Sequence, residues 1–462
     1  MAFLILTFFV IFLTFIILQK YLMLRRYFWK KKHGFISVGF FHPYCNDGGG
    51  GERVLWSAIL AVQKKYSIAQ CVVYTGDAAP SEEILEKVYR NLNIELLRPI
   101  KFVRLKCRFL VESKYYPYFT LLMQSLGSVV LGIEAAFKHA PHIYIDTMGY
   151  SWTLPIFKYL VASKIGAYVH YPTISTDMLT TVLERRISVN NKEFISSSSI
   201  FSFIKLIYYR IFAFLYGLMG RQAQIIMVNS SWTKDHILKL WKKPNHTFVV
   251  YPPCDVSQFQ NIPLLRDNNK ELRILSIAQF RPEKDHELQI KSFHQFLIRS
   301  KCIDSSDTLV LIGSCRHAED FARVEKLKVL SSKLGIAEKI EFKINLSFQE
   351  IMQEMEKADV ALHTMWNEHF GIGVVECMSA GLIMIAHNSG GPKLDIIRNQ
   401  SPDQTGFLAD SVETYASALE TVKDMSSEQL LQIRKNARQS VSRFSVPKFE
   451  NSFLDAVKTL FS

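Results

Sequence analysis

The stretch EHFGIGVVE, Glu368 to Glu376, places two carboxylates eight positions apart across the start of a helix. Upstream, ADVALHTMW (Ala358 to Trp366) reads as a buried strand running into a loop, and downstream GVVECMSAG keeps a helical apolar period that Gly381 ends. Glu368 is thereby predicted in a strand-to-helix loop and Glu376 inside the helix. Phe370, Gly371 and Ile372 span the helix start, with Gly373 close behind, where N–H groups lacking intrahelical partners suit a phosphate. The competing account of such a Glu is a favourable charge at the positive end of the helix dipole. Two neighbouring stretches weigh against it: SGGP (Ser389 to Pro392) follows the apolar run LIMIAHN, and RPEK (Arg281 to Lys284) follows LRILSIAQF. Three strand ends then carry polar or glycine-rich chemistry, which is where ligands bind in open α/β sheets.

Outward from this point, short apolar strands alternate with helical segments twice over, the pattern of two Rossmann-like domains in an α/β fold. The first series runs from FISVGFF through CVVYTG, HIYIDT and AYVHYP to IIMVNS. The second comprises LRILSIAQF, TLVLIGS, KIEFK, DVALHT and LIMIAHN. YPPCD (Tyr251 to Asp255) and RDNNK (Arg266 to Lys270) read as the linker, and NNKEFISSSS (Asn190 to Ser199) as the one serine cluster. The predicted organisation is a membrane anchor with a basic flank over 1–32, a first Rossmann-like domain over 33–260 and a second over 261–439.

Composition fits such a body tied to a membrane: 462 residues, 48% hydrophobic and 13% aromatic, exceed what one core usually holds. Ala2 to Leu18 carries no charge and, with Tyr21 to Leu24 beyond Lys20, reaches the roughly 20 residues a spanning helix needs. No charge precedes this run and RRYFWKKK follows it, the reverse of a cleaved signal peptide, so it is expected to remain on the mature protein. Lys20, Arg25, Arg26, Lys30, Lys31 and Lys32 all lie on its C-terminal side, which predicts a cytosolic body. Seven cysteines without a C-x-x-C pair agree with a reducing compartment and give no metal site. The sequons at Asn229, Asn245, Asn345 and Asn399 would become glycan acceptors only under the opposite topology.

The net charge of +13 comes with no nucleic-acid recognition module, so an anionic membrane surface and a diphosphate-bearing lipid account for it better, beside ordinary solvated surface. Two further apolar stretches, Tyr118 to Phe137 and Ile200 to Gly220, read either as core helices or as helices touching lipid. Lys205 and Arg210 inside the second favour an interfacial position over a full span.

In the first half, NDGGGG (Asn46 to Gly51) follows a strand and opens a helix, so Gly50 and Gly51 can admit close backbone approach by a phosphate or sugar; the alternative is a flexible surface turn. It is neither a G-x-G-x-x-G nor a P-loop. His170 ends the AYVH strand, a position as often structural as catalytic. Thr173, Thr176 and Asp177 follow on the same loop, and Asp146 is either a polar wall or a turn cap.

These residues resemble the retaining glycosyltransferases of the GT-B fold that carry an E-x7-E motif and use nucleotide sugars without a metal. PYCNDGGGGERVLW (Pro43 to Trp56), IDTMGY (Ile145 to Tyr150) and HYPTISTDML (His170 to Leu179) are in addition similar to the α-1,2-mannosyltransferase family of the asparagine-linked glycosylation pathway, GGGGER being the most specific part. The resemblance implies the following roles. Glu368 contacts hydroxyls of the donor sugar and favours positive charge at its anomeric carbon; Glu376 binds the ribose. Arg281 and Lys284, with the helix starts after Gly371 and Gly390–Gly391, neutralise the diphosphate. His170 reaches the donor sugar, and Gly50 and Gly51 approach donor phosphate or acceptor. It also implies that residues 440–462 form a helix crossing back to the first domain. The partners implied are GDP-mannose, a dolichol-pyrophosphate oligosaccharide and the endoplasmic reticulum membrane, with other mannosyltransferases of the pathway beside them. The absence of any D-x-D in the sequence agrees with a cofactor-free, metal-free transfer. Retention would follow either from a nucleophilic carboxylate or from same-face attack assisted by the leaving phosphate. Two rivals remain at this stage: a related transferase using another nucleotide sugar on a membrane lipid, and a non-catalytic membrane-anchored binding subunit.

Overall fold

The computed structural model describes residues 2–178, 199–265, 271–300 and 306–462. The RDNNK part of the linker, the serine cluster up to Ser198, Leu179 and Cys302 lie outside the described residues. The chain packs as two units, one of Met1–Asn229, Thr233–Tyr251 and Phe449–Ser462, the other of Ser230–Trp232 and Pro252–Lys448.

In the first unit seven parallel strands take the order β3-β2-β1-β4-β5-β6-β7. They are β1 (Ile36–Phe41), β2 (Ala69–Thr75), β3 (Lys101–Arg104), β4 (Ile143–Asp146), β5 (Lys164–Val169), β6 (Ile225–Val228) and β7 (Thr247–Val249). Parallel strands buried on both faces read as continuous apolar runs, and ISVGFF, AQCVVYT and IYID do so because helices cover both sides. On one face Phe41, Tyr74 and Tyr144 pack with Phe157, whose ring stacks on Tyr144 at 3.7 Å. On the other, Val38, Phe40 and Tyr168 meet Trp56 together with Phe449, Phe453 and Val457 of the final helix, Val446–Phe461. That helix is pinned further by Phe461 stacked on Tyr66 at 3.8 Å and by Glu450 paired with Lys64 at 2.7 Å. The strand order reverses between β1 and β4, which opens a crevice beyond their carboxyl ends.

The second unit holds six parallel strands ordered β10-β9-β8-β11-β12-β13. These are β8 (Arg273–Ile277), β9 (Thr308–Gly313), β10 (Ile340–Ile344), β11 (Val360–His363), β12 (Ile383–His387) and β13 (Gly406–Ala409). Here the reversal falls between β8 and β11. The loops leaving those two strands contain Arg281–Lys284 and Glu368, respectively.

Three strands escape the sequence reading, namely β3, β7 and β13, and all three are outermost in their sheets. Each is only three or four residues long and has one neighbour, so KFVR, TFV and GFLA carry too little apolar run to register.

The first helix, Ala2–His33, is exposed along its apolar beginning, with Leu6, Phe9, Phe12 and Ile17 each more than half accessible. Its end docks on the first unit: Leu22 is buried, Arg25 donates to Phe137 O at 2.6 Å, and Arg26 donates to Val161 O and Ala162 O at 3.0 and 2.9 Å. Arg25 and Arg26 thus act as anchors to the domain as well as flanking charges. The helices Thr120–Lys138 and Ser202–Gly220 are long and apolar enough to cross a membrane among the described residues. Each carries apolar residues on its outward side as well as on its core side. Leu131, Ala135, Phe212 and Tyr216 lie in the core, whereas Met123, Leu126, Val130 and Ile133 on one helix and Phe203, Ile207, Ile211 and Phe214 on the other face outward.

Beneath the end of the first helix, His139 Nε2 lies 2.6 Å from Ser37 Oγ, and His142 Nδ1 accepts Ser37 N–H at 3.1 Å. Burial pushes both imidazoles down, His139 to about 3 and His142 to about 4. For a base whose folded pKa is depressed, the native state binds fewer protons than the unfolded chain below about pH 6.5, so stability falls as pH drops through that range. Melting at pH 5 against pH 7.5 should reveal a loss of about 2 kcal/mol per histidine, and His142→Asn should remove about half of it.

Candidate active site

Glu368 sits in the loop after β11, and its Oε2 accepts two hydrogen bonds: Lys284 Nζ at 2.6 Å and His363 Nε2 at 3.2 Å. Lys284 comes from the loop after β8, so the pair closes across the reversal point of the second sheet. Thr364 fixes the two loops to each other, its hydroxyl lying 2.8 Å from Lys284 O and 3.1 Å from Asp285 O, while Gln289 Nε2 donates back to it at 2.8 Å. Burial alone would raise the pKa of Glu368, but the His363 hydrogen bond and the Lys284 charge outweigh it and hold the carboxyl well below the usual carboxylate range. Glu368 is therefore an anion throughout the neutral range, with one oxygen committed to the protein.

The helix Ile372–Ser379 begins just beyond, with Gly371 as its N-cap at φ 109°, a left-handed conformation that costs glycine little. Its first N–H groups, at Ile372 and Gly373, precede the first intrahelical bond. Glu376 lies one turn further, half-buried. Phe370 is buried and sets its ring edge-on against Phe444 at 5.1 Å, so its side chain is a packing element.

The SGGP turn behaves differently from its sequence expectation. Gly391 donates its N–H to Glu368 O at 2.8 Å, so that group is engaged by the protein rather than presented to a phosphate. Only a five-residue π-helical turn, Pro392–Ile396, follows, too short to act as a helix N-terminus toward a ligand. The two glycines are required instead by close approach: a Cβ on Gly390 would stand 2.3 Å from Glu368 O, and one on Gly391 would stand 2.5 Å from Phe370 O. The SGGP turn is the backing on which Glu368 is mounted. Gly390→Ala, at φ +59° with backbone in the way, should lower stability by about 2–4 kcal/mol in thermal melts and displace Glu368.

Arg281 is exposed at the entry of the turn Pro282–Lys284, and no described contact joins it to Glu368. Of the basic pair, the structure thus brings Lys284 to the carboxylate and leaves Arg281 at the rim of its loop.

In the first unit, the glycine-rich turn leads into the helix Gly50–Lys65. Glu52 Oε2 accepts Gly49 N–H at 2.7 Å, which puts a carboxylate at this helix start that a phosphate would have to approach. His170, at the end of β5, donates from Nε2 to Thr147 O at 3.1 Å. A Cβ on Gly51 would stand 3.8 Å from His170 Nε2 and 3.9 Å from His42 Cε1, ordinary contact distances. Gly51→Ala should therefore melt like the parent while lowering turnover about tenfold or more, a combination that assigns the missing side chain to ligand space rather than to folding. Asp146 is a turn cap: it is buried, and its carboxylate accepts the N–H groups of Met148 at 3.1 Å and Gly149 at 3.1 and 3.2 Å. On the following loop, His236 ties Thr176 Oγ1 at 2.8 Å and faces Asp177 Oδ2 at 3.6 Å.

Sequence reasoning misses His363, His42, Thr147 and His236. His363 carried a usable signal, since a polar residue closing a buried strand five positions before Glu368 can reach its side chain. The others are brought in by distant elements, His42 and Thr147 at the ends of β1 and β4 and His236 on the helix Ser231–Trp241, and left none.

Two units built on parallel α/β sheets are the architecture of the GT-B glycosyltransferases, and the matches to known proteins place the chain in that class. Sucrose-phosphate synthase from Thermosynechococcus elongatus superposes at a TM-score of 0.66 and 15% identity, over 92% of this chain and 99% of that one. HepE from Anabaena, in complex with UDP, does so at 0.64 and 15%, over 92% and 100%. Residues 258–440 match the family of glycosyl transferases group 1, and residues 36–241 match the ALG11 mannosyltransferase N-terminus. The GDP-Man:Man(3)GlcNAc(2)-PP-Dol alpha-1,2-mannosyltransferase of Homo sapiens is 55% identical over 428 residues, 92% of this chain and 87% of that protein. The protein of the same name from Dictyostelium discoideum is 45% identical over 442 residues, 94% and 86%. The chain belongs to the ALG11 mannosyltransferase family, the one that GGGGER and its companion segments resemble.

Proposed function

We propose that this chain moves mannose from GDP-mannose, with retention of the α configuration, onto a mannose 2-hydroxyl of dolichol-pyrophosphate-linked Man3GlcNAc2 and of the next intermediate. The observation that carries the reading is the Glu368 carboxylate, clamped by Lys284 and His363 immediately before a helix start. The names of the relatives, at 45–55% identity, supply the donor and acceptor classes.

As the bond to GDP breaks, negative charge grows on the diphosphate and positive charge on the sugar. Lys284, Arg281 and the N–H groups after Gly371 supply preorganised positive potential for the first. Glu368 faces the second as a permanent anion, and its remaining oxygen orients a sugar hydroxyl. Glu376 receives the ribose, and His170 meets the donor sugar. Cationic side chains take the place of a divalent metal, so transfer proceeds in EDTA.

The first helix anchors the protein in the endoplasmic reticulum membrane as a single span with the catalytic units on the cytosolic face. The charges after Leu18 and the exposed apolar beginning of that helix support this topology. The outward apolar faces of Thr120–Lys138 and Ser202–Gly220 lie against the bilayer, where a lipid-pyrophosphate acceptor resides and other mannosyltransferases of the pathway would work alongside.

Donor choice is tested by competition. Purified protein in detergent should bind GDP and GDP-mannose, with and without EDTA, at least tenfold more tightly than UDP or UDP-N-acetylglucosamine. The reverse preference would keep the fold and overturn the named donor.

A further inference from the structure

The glycine-rich turn of the first unit rests on polar side chains that the transfer described above does not use. His42, the residue after β1, is fully buried; its Nδ1 lies 2.9 Å from Thr147 Oγ1, whereas Nε2 makes no hydrogen bond and faces Glu52 Oε1 at 3.6 Å. Glu52 is only 6% exposed, and its second oxygen is held by Gly49 N–H. Thr147, the residue after β4, gives its backbone carbonyl to His170. One residue at the reversal point of the first sheet therefore hydrogen-bonds both imidazoles, and Gly51 lies against both rings.

Donor and acceptor capacities give this arrangement a direction. A carbonyl only accepts, so the proton of neutral His170 sits on Nε2 and the lone pair on Nδ1. An ionised carboxylate also only accepts, so the side of His42 facing Glu52 is the protonated Nε2, which leaves Nδ1 to accept from the Thr147 hydroxyl at 2.9 Å, a shorter contact than the 3.3 Å from that hydroxyl to Phe41 O. Burial raises the pKa of Glu52, but its contact with His42 and its N-cap hydrogen bonds outweigh that, and the group stays anionic near neutral pH. A buried polar atom at 3.6 Å from a buried carboxylate, rather than in a closed hydrogen bond, needs a reason beyond stability.

We infer that His42 and Glu52 are positioning residues: acting through Thr147, they hold His170 in one tautomer and one place beside Gly51. The inference rests on the proposed role of His170 toward the donor sugar. Glu52 orients His42, His42 orients the Thr147 hydroxyl, and Thr147 presents its carbonyl to His170.

A double-mutant cycle tests this. Glu52→Gln keeps an acceptor for Gly49 N–H and removes the charge; it should lower kcat about 10- to 100-fold with KM for GDP-mannose within about twofold. Thr147→Val should behave alike, and Thr147→Ser should restore activity to within about threefold of the parent. In a His170→Gln background, Glu52→Gln should cost less than about twofold, because the residue it acts through is gone. An equal loss in both backgrounds, an unchanged kcat, or a change in KM alone overturns the inference. If Glu52→Gln melts early, the Thr147 pair decides the question in its place. Should the parent show no turnover with GDP-mannose, the function proposed above fails while this inference is still decided by 15N spectra of histidine-labelled protein, assigned with His170→Gln. His170 should show an unprotonated Nδ1 that Glu52→Gln brings into tautomer exchange; an unaltered His170 signal overturns the inference.

Discussion

Replacing Glu368 with Gln should lower kcat by about 10³- to 10⁴-fold, a barrier increase of about 4–5.5 kcal/mol, while GDP binding changes by less than about fivefold. The reason is the asymmetry of its surroundings. One oxygen of Glu368 is held by Lys284 and His363, which keeps the carboxylate ionised and oriented before any substrate arrives. A group that is charged and fixed in advance stabilises charge developing on the sugar without reorganisation, and such groups dominate many rate enhancements. The amide keeps the shape and one acceptor but cannot supply the charge. It also leaves Lys284 as a half-buried cation without its counter-ion, so a modest drop in melting temperature should accompany the loss. Single-turnover kinetics separate the two effects: kcat collapses in protein that is folded and still binds GDP.

Lys284→Met should be the second most damaging change, at about 10²- to 10³-fold in kcat/KM, with KM for GDP-mannose raised as well as kcat lowered. Lys284 has two tasks that one ammonium can combine, orienting Glu368 at 2.6 Å and offering charge to the leaving diphosphate. Methionine keeps an unbranched apolar stem of similar length while removing both, together with the hydrogen bond from Lys284 Nζ to Met365 Sδ at 3.1 Å. Because only the first task runs through Glu368, Lys284→Met should slow the Glu368→Gln variant by clearly less than it slows the parent, the remaining loss reporting its charge toward the diphosphate. Arg281→Ala is the internal control: Arg281 is exposed and has no described contact with Glu368, so its loss should raise KM more than it lowers kcat.

Much of the architecture was legible because parallel strands covered on both faces are continuous apolar runs, and IYID, IIMV, TLVLIG and IMIAH could be little else. The strands that were not legible are β3, β7 and β13, where a short edge segment such as KFVR has too few apolar positions for any period to show. In the site, Lys284 and Glu368 were legible for the same topological reason, since each follows a readable strand and the two strands are neighbours. The SGGP turn was misread in part because sequence shows that a glycine is required but not what approaches it. At Gly390 and Gly391 the approaching group is the backbone of Glu368 and Phe370. His42 and Thr147 were invisible for another reason: they belong to one hydrogen bond but lie more than a hundred positions apart, brought together only by the register of β1 on β4. Thr120–Lys138 and Ser202–Gly220 each place some apolar residues in the core and turn others outward, a division that the apolar run in the sequence does not reveal.

The most direct measurement of the central claim is transfer of labelled mannose from GDP-mannose to a lipid-pyrophosphate-linked trimannosyl-chitobiose in EDTA, followed by digestion of the product with an α-1,2-mannosidase. The account predicts a labelled lipid oligosaccharide from which the enzyme releases the label, and no product from Glu368→Gln. A product that resists the α-1,2-mannosidase, or label transferred from UDP-N-acetylglucosamine in place of GDP-mannose, would contradict it.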